Sequence, residues 1–182
     1  MADAFFQALC CQPVTVFGVK LKPFSLSHSY LLDGLDNPWP KHANGSRSAL
    51  IHAVWVCSQD HDANVTQVLR PPLWRMFWAS VRSRRFDYAT ERQAFVQYMA
   101  NYMEIPDHWY SGAGSSKGFR APWQFHFAMG LTQHCGMTLR EAWNTPVALA
   151  RCWYDVWAEK QGDDSLVSVR EQELAKAEGL AL

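Results

Sequence analysis

Residues 121–162 read APWQFHFAMGLTQHCGMTLREAWNTPVALARCWYDVWAEKQG, and the periodicity of this stretch settles the fold class as helical. Pro122 suits the first turn of a helix, and Trp123, Phe127, Met129 or Gly130, and His134 recur at helical intervals until Gly136 stops it. Thr138 and Glu141 form a T-x-x-E capping box, predicting a short helix that turns Leu139, Ala142 and Trp143 inward. Thr145 as N-cap and Pro146 at the first helical position restart the chain. From there Leu149, Ala150, Trp153, Val156 and Trp157 have the spacing of an amphipathic helix, with Arg151, Asp155 and Glu159 on the other side and Gly162 as the stop. The stretch holds four of the nine tryptophans. Burying one contributes on the order of 2–3 kcal/mol, so packing between helices is the first use expected of these rings.

Working outward, the upstream chain follows the same pattern. Asp87 or Thr90 caps a helix running to about Glu104, with Phe95, Tyr98, Met99 and Tyr102 along one side and Pro106 beyond it. Pro71-Pro72 leads into a helix over Leu73 to Arg82, where Trp74, Phe77, Trp78 and Val81 make one wide apolar face. Arg82, Arg84 and Arg85 lie at its end, opposite the negative pole of the helix dipole. Ser46 opens a helix through about Ser58, with Leu50, Ala53, Val54 and Cys57 on its buried side. Ser25 caps another, to Leu35, in which Leu26, Tyr30 and Leu31 share a face, Gly34 marks the end, and His28 is a surface or hydrogen-bonded packing residue. Pro13 to Lys22 is the strand candidate, interrupted by Gly18; alone it must form a small ribbon or run extended across helices. The expectation is a mainly α, single-domain multi-helix bundle with one short N-terminal strand or small β-ribbon. It comprises residues 1–162, followed by a polar helix or tail over 163–182 with a second capping box at Ser168 and Glu171.

Composition narrows the function. Seventeen Lys+Arg against seventeen Asp+Glu leave no net field to gather polyanions, which argues against direct nucleic-acid binding. Near-zero charge with 14% aromatic residues also favours association, with an apolar partner or as a homo-oligomer. The five cysteines show no zinc-ligand spacing. A reducing, cytoplasmic setting is expected, with no signal peptide in MADAFFQALCC and no run long enough for a membrane span.

Candidate chemistry is sparse. Asp60-His61-Asp62 offers metal-ligating groups, but neighbours in sequence rarely converge on one ion and Asp62 is a natural N-cap. His126 and His134 lie too far apart for a shared metal, and His134 and Cys135 point in different directions. SGAGSSKG, residues 111–118, departs from the phosphate-binding loop because Lys117 precedes the last glycine and no strand leads in. Asp107 to Arg120 reads as a mobile loop. No catalytic residue, cofactor or metal is expected. An enzyme would have to draw on His52, Asp60, His61 and Asp62, or on His126 and His134.

LREAWNTPVALARCWYDVWAEKQGDDSLVSVREQE, residues 139–173, with its E-A-W-x-x-P turn, helix ending in E-x-x-G and charged tail, resembles the carboxy-terminal half of small helical proteins encoded among tail-morphogenesis genes of long-tailed bacteriophages and prophages. Tail assembly chaperone-like proteins are among these, and KPFSLSHSYLLDGLDNPW, residues 22–39, is similar to an amino-terminal motif in some of them. The resemblance implies a non-enzymatic helper in the bacterial cytoplasm that binds the tape-measure protein and tail-tube subunits. The strand-bearing amino-terminal half is longer than a minimal chaperone of this kind needs, which keeps a virion component such as a head-tail connector or tail completion protein as an alternative. The partner-binding surface expected is Trp109, Tyr110, Phe119, Trp157, Leu166 and Leu174.

Overall fold

A computed structural model of the chain describes residues 13–39, 45–60, 68, 70–103, 108–110, 121–161, 166–168 and 177. Among these, seven helices account for most of the fold: α1 Leu26–Gly34, α2 Arg47–Cys57, α3 Leu73–Ser83, α4 Tyr88–Met103, α5 Trp123–His134, α6 Leu139–Asn144 and α7 Val147–Lys160. Two antiparallel ribbons complete it, β1 Thr15–Val16 with β2 Val19–Lys20, and β3 His108–Tyr110 with β4 Leu166–Ser168.

The strand candidate is thus a hairpin, turning on Phe17 and Gly18, which both have positive φ (51° and 69°). Positive φ at both central residues is what a two-residue turn matching the twist of its strands requires. Glycine accepts this readily and phenylalanine does not. Phe17 is held there by its backbone N–H, which donates to Glu91 on α4 at 2.5 Å, and by burial of its ring edge-on to Phe86.

Helix α1 is the hub, packed against α2, α5, α6 and α7. Its buried side chains, Leu26, Ser27, His28, Ser29 and Leu32, occupy most of its circumference, whereas Tyr30, expected inside, is exposed at 37%. Ser25 caps the helix and forms a reciprocal box with His28. The histidine Nδ1 accepts from the Ser25 N–H at 3.2 Å, so the neutral ring carries its proton on Nε2, which donates to the Gln59 carbonyl at 2.7 Å. A β-bridge pairs Ser25 with Pro146: Leu26 N–H donates to Thr145 O and Val147 N–H to Phe24 O. The start of α1 is thereby tied to the start of α7. On its far side Gln124 of α5, itself buried, donates to Asp33 at 2.7 Å and Ser29 at 3.1 Å.

Around this hub the core contains Phe24, Leu50, Val54, Phe95, Tyr98, Leu131 and Trp143. The predicted buried sides of α2 and α4 are found as expected, as are the caps at Ser46 and Thr138, and Asp87 accepts from Thr90 at the start of α4. Other faces differ. On α5 the buried side is Gln124, Ala128 and Leu131, with Trp123 and Met129 exposed, because Gln124 bonds to α1 and the small Ala128 lets the helices approach. Leu139 is exposed on α6. Asp155 is buried on α7 while Val156 is exposed, a rotation of the expected face. Thr145 does not cap α7; its hydroxyl donates back to Glu141 O, and the Pro146 carbonyl accepts the first helical bond, from Ala150. Within the segments expected as a loop and a polar tail, His108–Tyr110 and Leu166–Ser168 are paired strands, in register Trp109 to Val167, and most of the remaining residues of both segments lie outside the described ones.

Candidate protein-binding surface

Helix α3 presents to solvent the face that its sequence would put in a core. Leu73 is 88% exposed, and Trp74, Phe77 and Trp78 are each just over 60% exposed. The side it turns inward carries Met76, Ala79 and Ser83, which rest on α2. Small residues at 79 and 83 permit that close contact, and a row of two indoles and a phenyl ring would not. The helix is held by backbone-directed arginines: Arg47 donates to Ser83 O at 2.8 Å, and Arg82 to Gly18 O at 3.1 Å.

Beside the exposed row lies a cleft of about 400 Å³, floored by Ile51, Val54 and Trp55 of α2 and closed by Phe17 and Val19 of the hairpin, with Trp74 and Trp78 as its outer wall. Arg75 lies over Trp55 and Trp74, 5.6 and 5.2 Å from the ring centroids, and Arg82 stands at the rim. Ridge and cleft together form an apolar, concave-convex surface, the shape into which the side-chain ridge of another helix packs. Exposed aromatics elsewhere are shared between elements. Phe125 stands edge-on to Trp143 and Tyr30, and Trp123 to Phe127, which meets Tyr154. Among the described residues, the rings of Phe77 and Trp78 stand edge-on to each other and to no other ring.

The expected surface is distributed differently. Trp109 and Tyr110 are in β3 and Leu166 in β4, directly paired by backbone as Tyr110 with Leu166. Phe119 and Leu174 lie outside the described residues. Trp157 is half-buried on α7, stacked on His134 at 4.0 Å beside a hollow of about 360 Å³ that Trp153, Val156 and Lys160 also line. The α3 face is not among the residues expected at the surface: the sequence marks it as apolar but not as exposed.

The groups weighed for chemistry are described in part. Asp60 pairs with Lys22 at 3.1 Å, and His61 and Asp62 lie outside the described residues. His52 is half-buried, and burial lowers its pKa; His134 is stacked on Trp157. Burial pushes the Cys57 thiol up to about 12, leaving it protonated and inert at neutral pH. Among the described residues no three His, Cys, Asp or Glu side chains are grouped to hold a metal ion, and no helix is long and apolar enough to cross a membrane. Compared with protein-family models, curated proteins and solved structures, the chain gives no match.

Proposed function

We propose that this chain is a non-enzymatic binding protein that seats an amphipathic helix of another protein against α3 and its cleft. Following the resemblance of residues 22–39 and 139–173, we place it in the tail assembly of a long-tailed phage or prophage, in the bacterial cytoplasm, with the tape-measure protein or tail-tube subunits as partner. The observation that carries the reading is the outward row Leu73, Trp74, Phe77 and Trp78. Each side chain stands to gain roughly 1.5–3 kcal/mol on full burial, an incentive for association. A tape-measure protein is a long helical chain whose apolar stripes need cover before assembly, and a short helix flanked by a cleft supplies it.

The test is co-expression with the tape-measure protein of the same gene cluster. The wild-type chain is expected to keep that protein soluble and to co-purify with it. A variant carrying Trp74→Ser, Phe77→Ser and Trp78→Ser, folded by circular dichroism, is expected to do neither. A tape-measure protein equally insoluble with and without the wild-type chain would overturn the tail-assembly reading.

A further inference from the structure

We infer that the α3 surface selects partner helices whose apolar stripe is flanked by carboxylates: its occupant is an acidic amphipathic helix. The inference rests on the reading that α3 seats a helix, and adds the partner's charge. From residue 63 to residue 86 the chain has five arginines, Arg70, Arg75, Arg82, Arg84 and Arg85, and no Asp or Glu, although the whole chain is neutral. The ridge and the outer wall of the cleft lie inside this span. The carboxylates that follow are engaged. Asp87 accepts from the Thr90 N–H and hydroxyl at 2.9 and 2.7 Å, and Glu91 accepts from Phe17 N–H. Lys22 pairs with Asp60, and none of the five guanidiniums has an acidic partner among the described residues.

Helix-end electrostatics do not account for this concentration. The C-terminal pole of a helix is worth about half an elementary charge, against three guanidiniums at 82, 84 and 85, and Arg75 stands within the helix at the cleft. Arg82 uses one N–H on Gly18 O and keeps the others of its fork for a bidentate acceptor. Carboxylates flanking a docked helix meet Arg75 and Arg82 at the cleft, with Arg84 and Arg85 next along the chain, while its apolar stripe covers the indoles. An anionic lipid surface would satisfy the same charges, but the cleft decides between them. A hollow of about 400 Å³ beside a ridge is filled by the side chains of a second helix and left void against a bilayer.

The experiment uses the full chain and two labelled peptide helices with the same leucine stripe, one flanked by Glu and one by Lys, read by fluorescence anisotropy, with phosphatidylglycerol vesicles as a third probe. The Glu-flanked peptide is expected to bind about tenfold tighter at low salt. That advantage should fall to about twofold or less near 0.5 M salt, and should vanish in a variant carrying Arg75→Gln, Arg84→Gln and Arg85→Gln that still binds the Lys-flanked peptide. Equal affinity for the two peptides overturns the inference and leaves the helix-binding reading standing. Vesicle binding without peptide binding overturns both, and so does failure of all three probes; co-expression with the tape-measure protein reports separately on tail assembly.

Discussion

His28 shows how one side chain couples sequence to stability. Its ring is buried among α1, Phe24 and the Gln59 carbonyl, and burial lowers its pKa below the ordinary 6.5. Protonating Nδ1 would set a donor against the Ser25 N–H and undo the cap. Because the unfolded chain binds the proton more readily than the folded one, stability rises with pH across this range. It is present in full above about pH 6.5 and is lost as pH falls through that value toward the lowered folded-state pKa. His52, also lowered by burial, acts in the same direction. Urea midpoints are therefore expected to drop between pH 7.5 and 5, and His28→Asn, which can accept from Ser25 but cannot titrate, is expected to flatten the drop. An unchanged slope in that variant would remove His28 as the titrating group. The lowered carboxyl groups of Asp87 and Glu141, held down by hydrogen bonds from Thr90 and Thr138, titrate below this window and do not confuse it.

Helices and their caps were legible in the sequence because both are local. A serine, threonine or aspartate three residues ahead of the N–H it accepts from is visible without knowing the fold, as at Ser46, Thr138 and Asp87. Which face of a helix is buried is not local; it depends on how near a neighbour comes. On α3 and α5 the bulky rings gave the strongest periodic signal, yet Ala79 and Ser83, or Gln124 and Ala128, face the neighbouring helix. The candidate surface was legible as an apolar stripe and hidden as an exposed one. The β3–β4 ribbon left no readable trace, since three-residue strands carry too short an alternation and pair across a long separation. The distinction between the two kinds of tryptophan is measurable. Trp143→Ala removes a ring buried to 6% exposure and is expected to cost about 3–5 kcal/mol. Trp78→Ser on α3 is expected to change stability by no more than about 0.5 kcal/mol in the same urea titration. A large loss at residue 78 would mean that the α3 row supports the fold.

For the whole molecule, the two surfaces can be separated by truncation. Ending the chain after Gly162 removes β4 and leaves β3 without its partner, while the seven helices and the bridge from Ser25 to Pro146 stay in place. The shortened protein is expected to melt within about 3 °C of the full chain, to be cut faster by chymotrypsin at Trp109 and Tyr110, and to retain binding at α3. Loss of binding would move the interaction to the ribbon, where Trp109, Tyr110 and Leu166 lie. The bridge between Ser25 and Pro146 also has a consequence for synthesis. It joins backbone about 120 residues apart, so the hub helix leaves the ribosome on the order of ten seconds before the strand partner and the helix that seal it. Throughout that interval α1 has for cover only the elements that precede Pro146, without α7, and a nascent chain stalled before residue 147 would be a ready client for the cell's own folding machinery.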